Sequence, residues 1–189
     1  MAAYMSEHIS YEDGACIPGD LYRYFLPTIF LEIAHTRPQA AAVIAAGEKL
    51  FYSTLAARVR AWAGRLVNEG LTVGQPVGLC VGPVGELAVG FLAILAAGGV
   101  VTPLDPALPT ERLGSLARGV DCHVVLGHPA TRALIGEEPV FHDLTQTPAA
   151  YDQALPELDS TAIACLYHTS GSTGRPKGIL RPLPENPPA

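Results

Sequence analysis

Residues 77–104 read VGLCVGPVGELAVGFLAILAAGGVVTPL, in which two short apolar runs flank a longer one. The short runs, Val77–Val81 and Val100–Leu104, contain no charged residue, which is typical of strands covered on both faces of a parallel sheet. The longer run, Val84–Ala97, ends at Gly98–Gly99, and glycine commonly terminates a helix. A strand, a helix and a second strand in this order predict a βαβ unit with a right-handed crossover.

The same apolar segment is close to the length of a membrane-spanning helix. Leu87–Leu104 carries no charge, and about 20 apolar residues are enough to cross a bilayer. The glycine pair and Pro103 interrupt the segment, and both residue types disfavour a helix interior. We therefore predict a buried helix followed by a strand, and we expect no association with a membrane.

The alternation of strands and helices continues on both sides of this unit. Apolar residues recur at helical spacing in some segments and form short runs in others, with Gly and Pro at the boundaries. Ser53 is placed to cap a helix that ends before Gly70, and Asp105 to cap the helix after Leu104. We predict an α/β fold with a mostly parallel sheet and flanking helices. The further strands are Ala41–Ala46, Lys49–Tyr52, His123–Leu126, Val140–His142 and Ala162–Tyr167, and the further helices include Tyr22–His35, Thr110–Arg118 and Ala130–Ile135.

The composition supports a folded domain with a sizeable core. The chain has 189 residues, of which 49% are hydrophobic and 16% charged, a balance unlike that of disordered proteins. Its net charge of −6 argues against binding along a nucleic acid. The cysteines form no CxxC pair and the histidines no i, i+4 pair, so we predict no metal site. Widely spaced cysteines and an N-terminus unlike a signal peptide favour the cytoplasm.

One segment combines the residue types that bind phosphate. Glycines allow the backbone to approach a ligand and to turn its N–H groups inward, while hydroxyl groups add donors and a lysine adds positive charge. Every charged residue in 160–184 is basic, so this part of an acidic protein is locally positive. The segment follows a predicted strand and reads Tyr167-His168-Thr169-Ser170-Gly171-Ser172-Thr173-Gly174-Arg175-Pro176-Lys177-Gly178.

Two other interpretations of this segment are less well supported. The P-loop of NTPases requires glycine, lysine and serine or threonine running into a helix, whereas here Pro176 precedes Lys177 and Gly178 follows it. A flexible linker would account for the glycines and serines, but linkers do not usually carry a proline–lysine pair and a flanking strand. We therefore interpret the segment as a phosphate-binding loop.

The stretch Thr169–Gly178 resembles the phosphate-binding signature of the adenylate-forming superfamily. That superfamily contains AMP-dependent acyl-CoA synthetases, luciferase-like ligases and the adenylation domains of nonribosomal peptide synthetases. Upstream, Phe51–Leu55 is similar to the first core motif of adenylation domains, and Leu92–Pro106, followed by Pro109–Leu113, is similar to the second. Details of the second motif favour the amino-acid-activating branch. The resemblance covers roughly residues 22–181.

The resemblance implies a reaction and a set of ligands. Such enzymes use ATP and Mg²⁺ to convert a carboxylic acid into an acyl-adenylate and pyrophosphate. They then pass the acyl group to a thiol of coenzyme A or of the phosphopantetheine of a carrier protein. The matched loop holds the β- and γ-phosphates by positioning and electrostatic stabilisation. The implied ATP-binding residues are Thr169, Ser170, Gly171, Ser172, Thr173, Gly174 and Lys177, and no catalytic or metal-binding residue is implied in this chain.

The length differs from that of a complete enzyme of this family. The resemblance places the acyl pocket, the adenine-binding turn, a Mg²⁺-binding glutamate and a lid with a catalytic lysine after the phosphate loop. Eleven residues follow Gly178, and Leu183 stands where the family usually has a histidine. We therefore predict a truncated adenylation domain over 22–181, between an N-terminal extension, 1–21, and a proline-rich tail, 182–189. By itself it would be inactive.

A second hypothesis assigns the chain to a different class of protein. It would be a non-catalytic interaction module, or one half of a split enzyme that a separate chain completes. Its partners would then be ATP phosphates, a C-terminal half encoded elsewhere or a carrier protein.

Overall fold

The computed structural model describes residues 26–45, 48–82, 84–158, 162–169 and 177–182. Within them a six-stranded sheet lies between two layers of helices, and a two-stranded hairpin is separate from it. Five strands of the sheet are parallel to one another, and the sixth is antiparallel at one edge. The predicted α/β fold with a mostly parallel sheet is therefore confirmed.

The predicted unit of two strands and a helix forms the centre of this sheet. The elements are α1 (Leu26–Thr36), β1 (Ala41–Ala45), β2 (Glu48–Phe51), α2 (Tyr52–Asn68), β3 (Pro76–Cys80), α3 (Val84–Ala96), β4 (Val100–Pro103), α4 (Thr110–Gly119), β5 (Val124–Gly127), α5 (Arg132–Ile135), β6 (Val140–Asp143), β7 (Ile163–Thr169) and β8 (Lys177–Pro182). A 3₁₀ turn, Pro129–Thr131, begins the short helix that follows β5. Across the sheet the strand order is β6-β5-β3-β4-β7-β8, with β3 and β4 in the middle.

Helices cover both faces of the sheet, and each face has its own core. On one face α1, α2 and α3 pack over residues such as Val77 and Leu79. On the other face α4 and α5 pack over Leu104 and Val125. Because the central strands are covered on both sides, charged side chains would have to be buried there. This explains why β3, β4 and β5 contain no charged residue.

Helix α3 ends where the glycine pair predicts. The N–H of Gly98 donates to the carbonyl oxygen of Leu95, and that of Gly99 donates to Ile94, both at 2.9 Å. These are the two bonds of a Schellman motif, which requires a left-handed residue at the first glycine, and Gly98 has φ +83°. No helix in the described part of the chain is both long enough and apolar enough to cross a membrane.

Two predicted helix caps are wrong. Ser53 does not cap α2, because the N-cap position is occupied by Phe51, which makes no side-chain hydrogen bond. Asp105 does not cap α4 either, because Pro109 precedes that helix. Instead, Oδ1 of Asp105 accepts the N–H of Ala107 at 2.9 Å. Its carboxylate therefore braces the turn between β4 and α4.

The connection from β6 to β7 lies on helix α2. Three strands separate β6 from β7 in the sheet, so the connection has to cross the helix layer to reach β7. Side chains of α2 and of its C-cap residue, Glu69, bond to the end of β6 and to the first residues of the connection at three points. Arg58 Nη2 donates to the carbonyl oxygen of Leu144 at 2.7 Å, Trp62 Nε1 donates to that of Gln146 at 3.1 Å, and Glu69 Oε2 lies 2.7 Å from His142 Nε2.

Acid should weaken the contact of Glu69 with His142. Burial raises the pKa of Glu69, but hydrogen bonds from Arg65 and His142 outweigh this, and the pKa lies below its ordinary value of 4.5. A carboxyl group whose pKa is lowered by folding stabilises the fold fully above its unfolded pKa, and this contribution is lost as the pH falls through the folded pKa. Because the Glu69 side chain is 32% exposed, we expect a contribution of at most about 1 kcal/mol.

Urea unfolding of the wild-type chain and of Glu69→Gln, at about pH 6 and about pH 3, measures this contribution. The wild type should be the more stable at the higher pH and should lose its advantage at the lower pH. Glu138→Gln is the control, because Glu138 is 78% exposed and its nearest ion-pair distance, to Arg118, is 4.0 Å. Equal stability of Glu69→Gln and wild type at the higher pH would contradict the prediction.

Candidate functional site

The loop that the sequence predicts to bind phosphate joins the last two described strands of the sheet. Strand β7 ends at Thr169, and β8 begins at Lys177. The two strands are antiparallel, and Thr169 is the Cα partner of Lys177. The first and the last of the predicted phosphate-contacting residues are therefore neighbours across one pair of strands. Seven residues, 170–176, connect them.

The topology places the ends of this loop at the carboxyl edge of the parallel sheet. Strands β4 and β7 are parallel neighbours, with Val101 opposite Cys165. The chain leaves β4 toward β5 on one side and leaves β7 toward β8 on the other. In open α/β sheets, ligands bind outside the carboxyl ends of the strands, where neighbouring connections diverge in this way. The loop thus begins and ends at the position where this class of fold binds ligands.

The structure shows where the two ends of the predicted site lie in the sheet. Backbone positions are described for Thr169 and Lys177, which the structure brings together. The phosphate-contacting roles of all seven predicted residues stay a prediction. The other five, Ser170, Gly171, Ser172, Thr173 and Gly174, lie outside the described residues.

Strand β7 is buried in its middle, whereas Tyr167, nearer the loop, is 48% exposed. Ala164, Cys165 and Leu166 are each less than 10% exposed. Burial raises the pKa of the Cys165 thiol, which disfavours the thiolate that a nucleophilic cysteine requires. Cys165 is therefore a packing residue of the strand that leads into the loop.

The sequence pattern did not predict strand β8. Its apolar run is only two residues long, Ile179 and Leu180, with Gly178 before it and Arg181 after it. Among the described strands β8 lies at the edge of the sheet with one neighbour, and an edge strand does not require a longer apolar run. Pro182 is its last residue, a position that proline tolerates. The signal that would have found it is the hairpin itself, two short strand-like runs on either side of a glycine-containing loop.

Comparison with known families identifies the chain. The family model described as AMP-binding enzyme matches residues 30–182, which include β7, β8 and the loop between them. The chain belongs to the family of AMP-binding enzymes. The resemblance to adenylate-forming enzymes is thereby confirmed, and the two described ends of the matched loop lie at the carboxyl edge of the sheet.

Three similar proteins show which AMP-binding enzymes the chain resembles. AMB antimetabolite synthetase AmbB of Pseudomonas aeruginosa is 38% identical over 161 residues, with 83% of this chain and 13% of the relative covered. NpsA-ThdA, an artificially fused adenylation–PCP di-domain NRPS from Klebsiella oxytoca, has a TM-score of 0.75 at 26% identity, covering 84% of this chain and 32% of the other. The AMPPNP-bound form of the nonribosomal peptide synthetase FmoA3 has a TM-score of 0.77 at 26% identity, with 85% and 17% covered.

This AMP-binding enzyme chain spans a small part of the length of these proteins. It covers 13%, 32% and 17% of them, respectively. Its fold matches the N-terminal subdomain of an adenylation domain of the nonribosomal peptide synthetase type, of which it spans 42% in NpsA. The chain is thus an N-terminal fragment of an adenylate-forming domain of that type.

Proposed function

We propose that the chain holds the β- and γ-phosphates of ATP for an adenylation domain that activates an amino acid. The observation that carries this proposal is the hairpin at the carboxyl edge of the sheet, in which Thr169 is paired with Lys177. A residue with a hydroxyl group and one with an ammonium group are adjacent there, and a loop with two glycines connects them. Hydroxyl groups, inward-turned backbone N–H groups and a positive charge are the donors that a polyphosphate requires.

The proposed reaction is the attack of a substrate carboxylate on the α-phosphorus of ATP. A bond forms between a carboxylate oxygen and this phosphorus, the bond from the phosphorus to the β-bridging oxygen breaks, and pyrophosphate leaves. Hydroxyl groups of the loop donate hydrogen bonds to the β- and γ-phosphates, and Lys177 balances their negative charge. A lysine about 4 Å from a phosphate oxygen contributes about 4 kcal/mol at an effective dielectric constant near 20. The loop thus positions the leaving group and stabilises its charge.

Mg²⁺ would reach this site bound to the triphosphate. Within the described residues, no group of three His, Cys, Asp or Glu side chains is arranged to hold a metal ion. The ion would neutralise part of the charge on the phosphates. The part of that neutralisation that belongs to this chain comes from Lys177 and from the hydrogen-bond donors of the loop.

An amino-acid substrate and a carrier-protein partner are supported by the relatives. FmoA3 is a nonribosomal peptide synthetase, and the NpsA-ThdA structure joins an adenylation domain to a PCP domain. The motif Leu92–Pro106 also resembles that of the amino-acid-activating branch. We therefore propose transfer of the aminoacyl group to the phosphopantetheine thiol of a carrier protein, in the cytoplasm.

By itself, the chain of residues 1–189 should bind ATP without forming an adenylate. In the family that it resembles, the adenine-binding turn and the catalytic lysine follow the segment matched here. A separate chain with those elements would restore activity if it docked on this one. Restoration of this kind would distinguish half of a split enzyme from a non-catalytic module.

Calorimetric titration with ATP, tripolyphosphate and AMP tests the proposed function. ATP and tripolyphosphate should bind with similar affinity. AMP lacks the β- and γ-phosphates that the loop is proposed to contact, so it should bind at least about tenfold more weakly. The isolated chain should not catalyse ATP–pyrophosphate exchange. AMP binding as tight as that of ATP would contradict the role of the loop, and robust exchange would contradict the need for further elements.

A further inference from the structure

The segment His142–Tyr151, which we call the latch, consists of the last two residues of β6 and the start of the connection to β7, and residues distant in sequence hold it on α2. Its partners Arg58 and Trp62 are four positions apart in α2, and Glu69, seven positions further on, is the C-cap residue of that helix, so the three lie toward one face. The hydrogen bonds described above hold the latch at three points on this face. Leu144 in the latch is fully buried in the core beneath α2 and α3. The latch is therefore held by polar and apolar contacts together.

The last residue of the latch, Tyr151, packs into a gap on the surface of α2 at Gly64, which we call the notch. Helix residue Gly64 is buried, and the ring of Tyr151 lies directly against it. A Cβ atom built on Gly64 would be 2.0 Å from Cγ of Tyr151 and 2.4 Å from its Cβ. Such distances do not occur between non-bonded atoms in folded proteins, so any side chain at this position would displace Tyr151.

Described residues that follow the latch pack on the same core as β7. Leu155 and Leu158 pack against the core cluster that contains Cys165 of β7. Leu158 also reaches the end of α3, where its Cδ2 lies 3.6 Å from the position that a Cβ on Gly98 would take. One apolar core thus includes residues of α2, of the connection and of β7, the strand that leads into the loop.

We propose that the contact of the latch with α2 keeps β7 paired in the sheet. When the latch detaches from α2, β7 should separate from its neighbouring strands before the rest of the sheet unfolds. Strands β3, β4 and β5 are covered by helices on both faces, whereas the connection that precedes β7 forms no helix or strand in its described residues, 144–158. Segments of this kind open locally as units, with lower cost than global unfolding. The consequence that the latch also controls the loop between β7 and β8 rests on the proposed function of that loop.

Three buried cysteines report on the strands separately. Cys165 lies in β7, Cys80 in β3 and Cys122 just before β5, and all three are free thiols. A buried thiol reacts with iodoacetamide only when its surroundings open, and peptide mass spectrometry gives the rate at each site. Cys16, outside the described residues, is replaced by serine in every variant. Emission from Trp62, the single tryptophan of the chain, reports directly on the latch.

Gly64→Ala is the main test. Alanine is a better helix former than glycine, so the substitution should not weaken α2 itself, and the expected damage is the displacement of Tyr151. The labelling rate of Cys165 should rise about tenfold or more, while those of Cys80 and Cys122 change less than about twofold. Trp62 emission should shift to the red. Gly85→Ala is the control, because a Cβ on Gly85 would meet no atom within 4 Å, and it should behave as the wild type. Wild-type labelling of Cys165, or an equal rise at all three cysteines, would overturn the proposal.

Tyr151→Ala decides the question if Gly64→Ala fails to fold. It empties the notch without a clash and should also accelerate the labelling of Cys165 alone, and any other pattern would overturn the proposal. The labelling is carried out without nucleotide, and calorimetry with ATP is then run on the same proteins. A wild-type chain that fails to bind ATP would refute the proposed function of the loop and leave the result on the latch intact.

Discussion

Replacing Lys177 with glutamine should weaken the binding of ATP by about 10- to 100-fold. Glutamine keeps most of the length of the side chain and its capacity to donate hydrogen bonds, but it removes the charge. The full interaction of a lysine with a phosphate oxygen is about 4 kcal/mol at an effective dielectric constant of 20. Solvent at the edge of the sheet screens part of this, so we expect a loss of about 1.4 to 2.8 kcal/mol, with each 1.4 kcal/mol equal to a factor of ten.

The chain offers a matched control for this substitution. Lys49 is the other lysine in the sequence and lies exposed in β2, outside the large sheet. Lys49→Gln changes the net charge by the same amount and should leave the affinity for ATP unchanged. If calorimetry shows the same affinity for Lys177→Gln as for the wild type, the lysine at the start of β8 does not contact the phosphates. If both variants weaken binding equally, the effect is one of net charge and not of the site.

The elements that were predictable from the sequence are those with strong local signals. Strands β3, β4 and β5 are largely buried, so they carry no charged residue and are mostly apolar, and this pattern identifies them. The ends of α2 and α3 were predictable because Gly70 and Gly98 have φ values of +90° and +83°, a conformation that glycine adopts without strain. Local signals of this kind depend on no distant residue, which is why they are visible in a single sequence.

The position of the candidate site was predictable for the same reason. All its residues lie in one continuous stretch after a strand, and the chemistry of glycine, hydroxyl and lysine within it points to phosphate. Strand β8 was missed because its residues also form the end of that stretch, and an edge strand with one neighbour carries a weaker apolar pattern. The caps assigned to Ser53 and Asp105 were wrong because each residue type also braces turns, and the sequence does not distinguish the two roles.

The contacts of the latch could not be predicted, because they join residues that are far apart in sequence. Arg58 bonds to a carbonyl oxygen 86 positions away, and Trp62 to one 84 positions away. Both acceptors are backbone atoms, which carry no signature of their own in the sequence. The strand order was equally out of reach, since the connection from β6 could have led to several positions in the sheet. Long-range geometry of this kind required the structure.

Replacing Trp62 with alanine should lower the free energy of unfolding by about 3 to 5 kcal/mol. The side chain is 4% exposed and packs in the core that α1, α2 and α3 form on the sheet. Its truncation removes a large apolar surface, leaves a cavity and deprives the carbonyl oxygen of Gln146 of its donor. Domains are stable by about 5 to 15 kcal/mol in total. The variant should therefore be substantially less resistant to urea, as measured by far-UV circular dichroism.

Trp62→Phe separates the two parts of this effect. Phenylalanine keeps an aromatic ring in the core beside His142, whose ring centroid lies 5.7 Å from that of Trp62, but it removes the indole N–H. The loss of this donor from a part-buried acceptor should cost about 1 to 2 kcal/mol, so most of the effect of Trp62→Ala should come from the cavity. Ile44→Ala is the control, because Ile44 is 64% exposed and its truncation should cost about 0.5 kcal/mol or less. If Trp62→Ala cost no more than Ile44→Ala, helix α2 would not be packed on the sheet through Trp62, and the latch would have no fixed surface to hold.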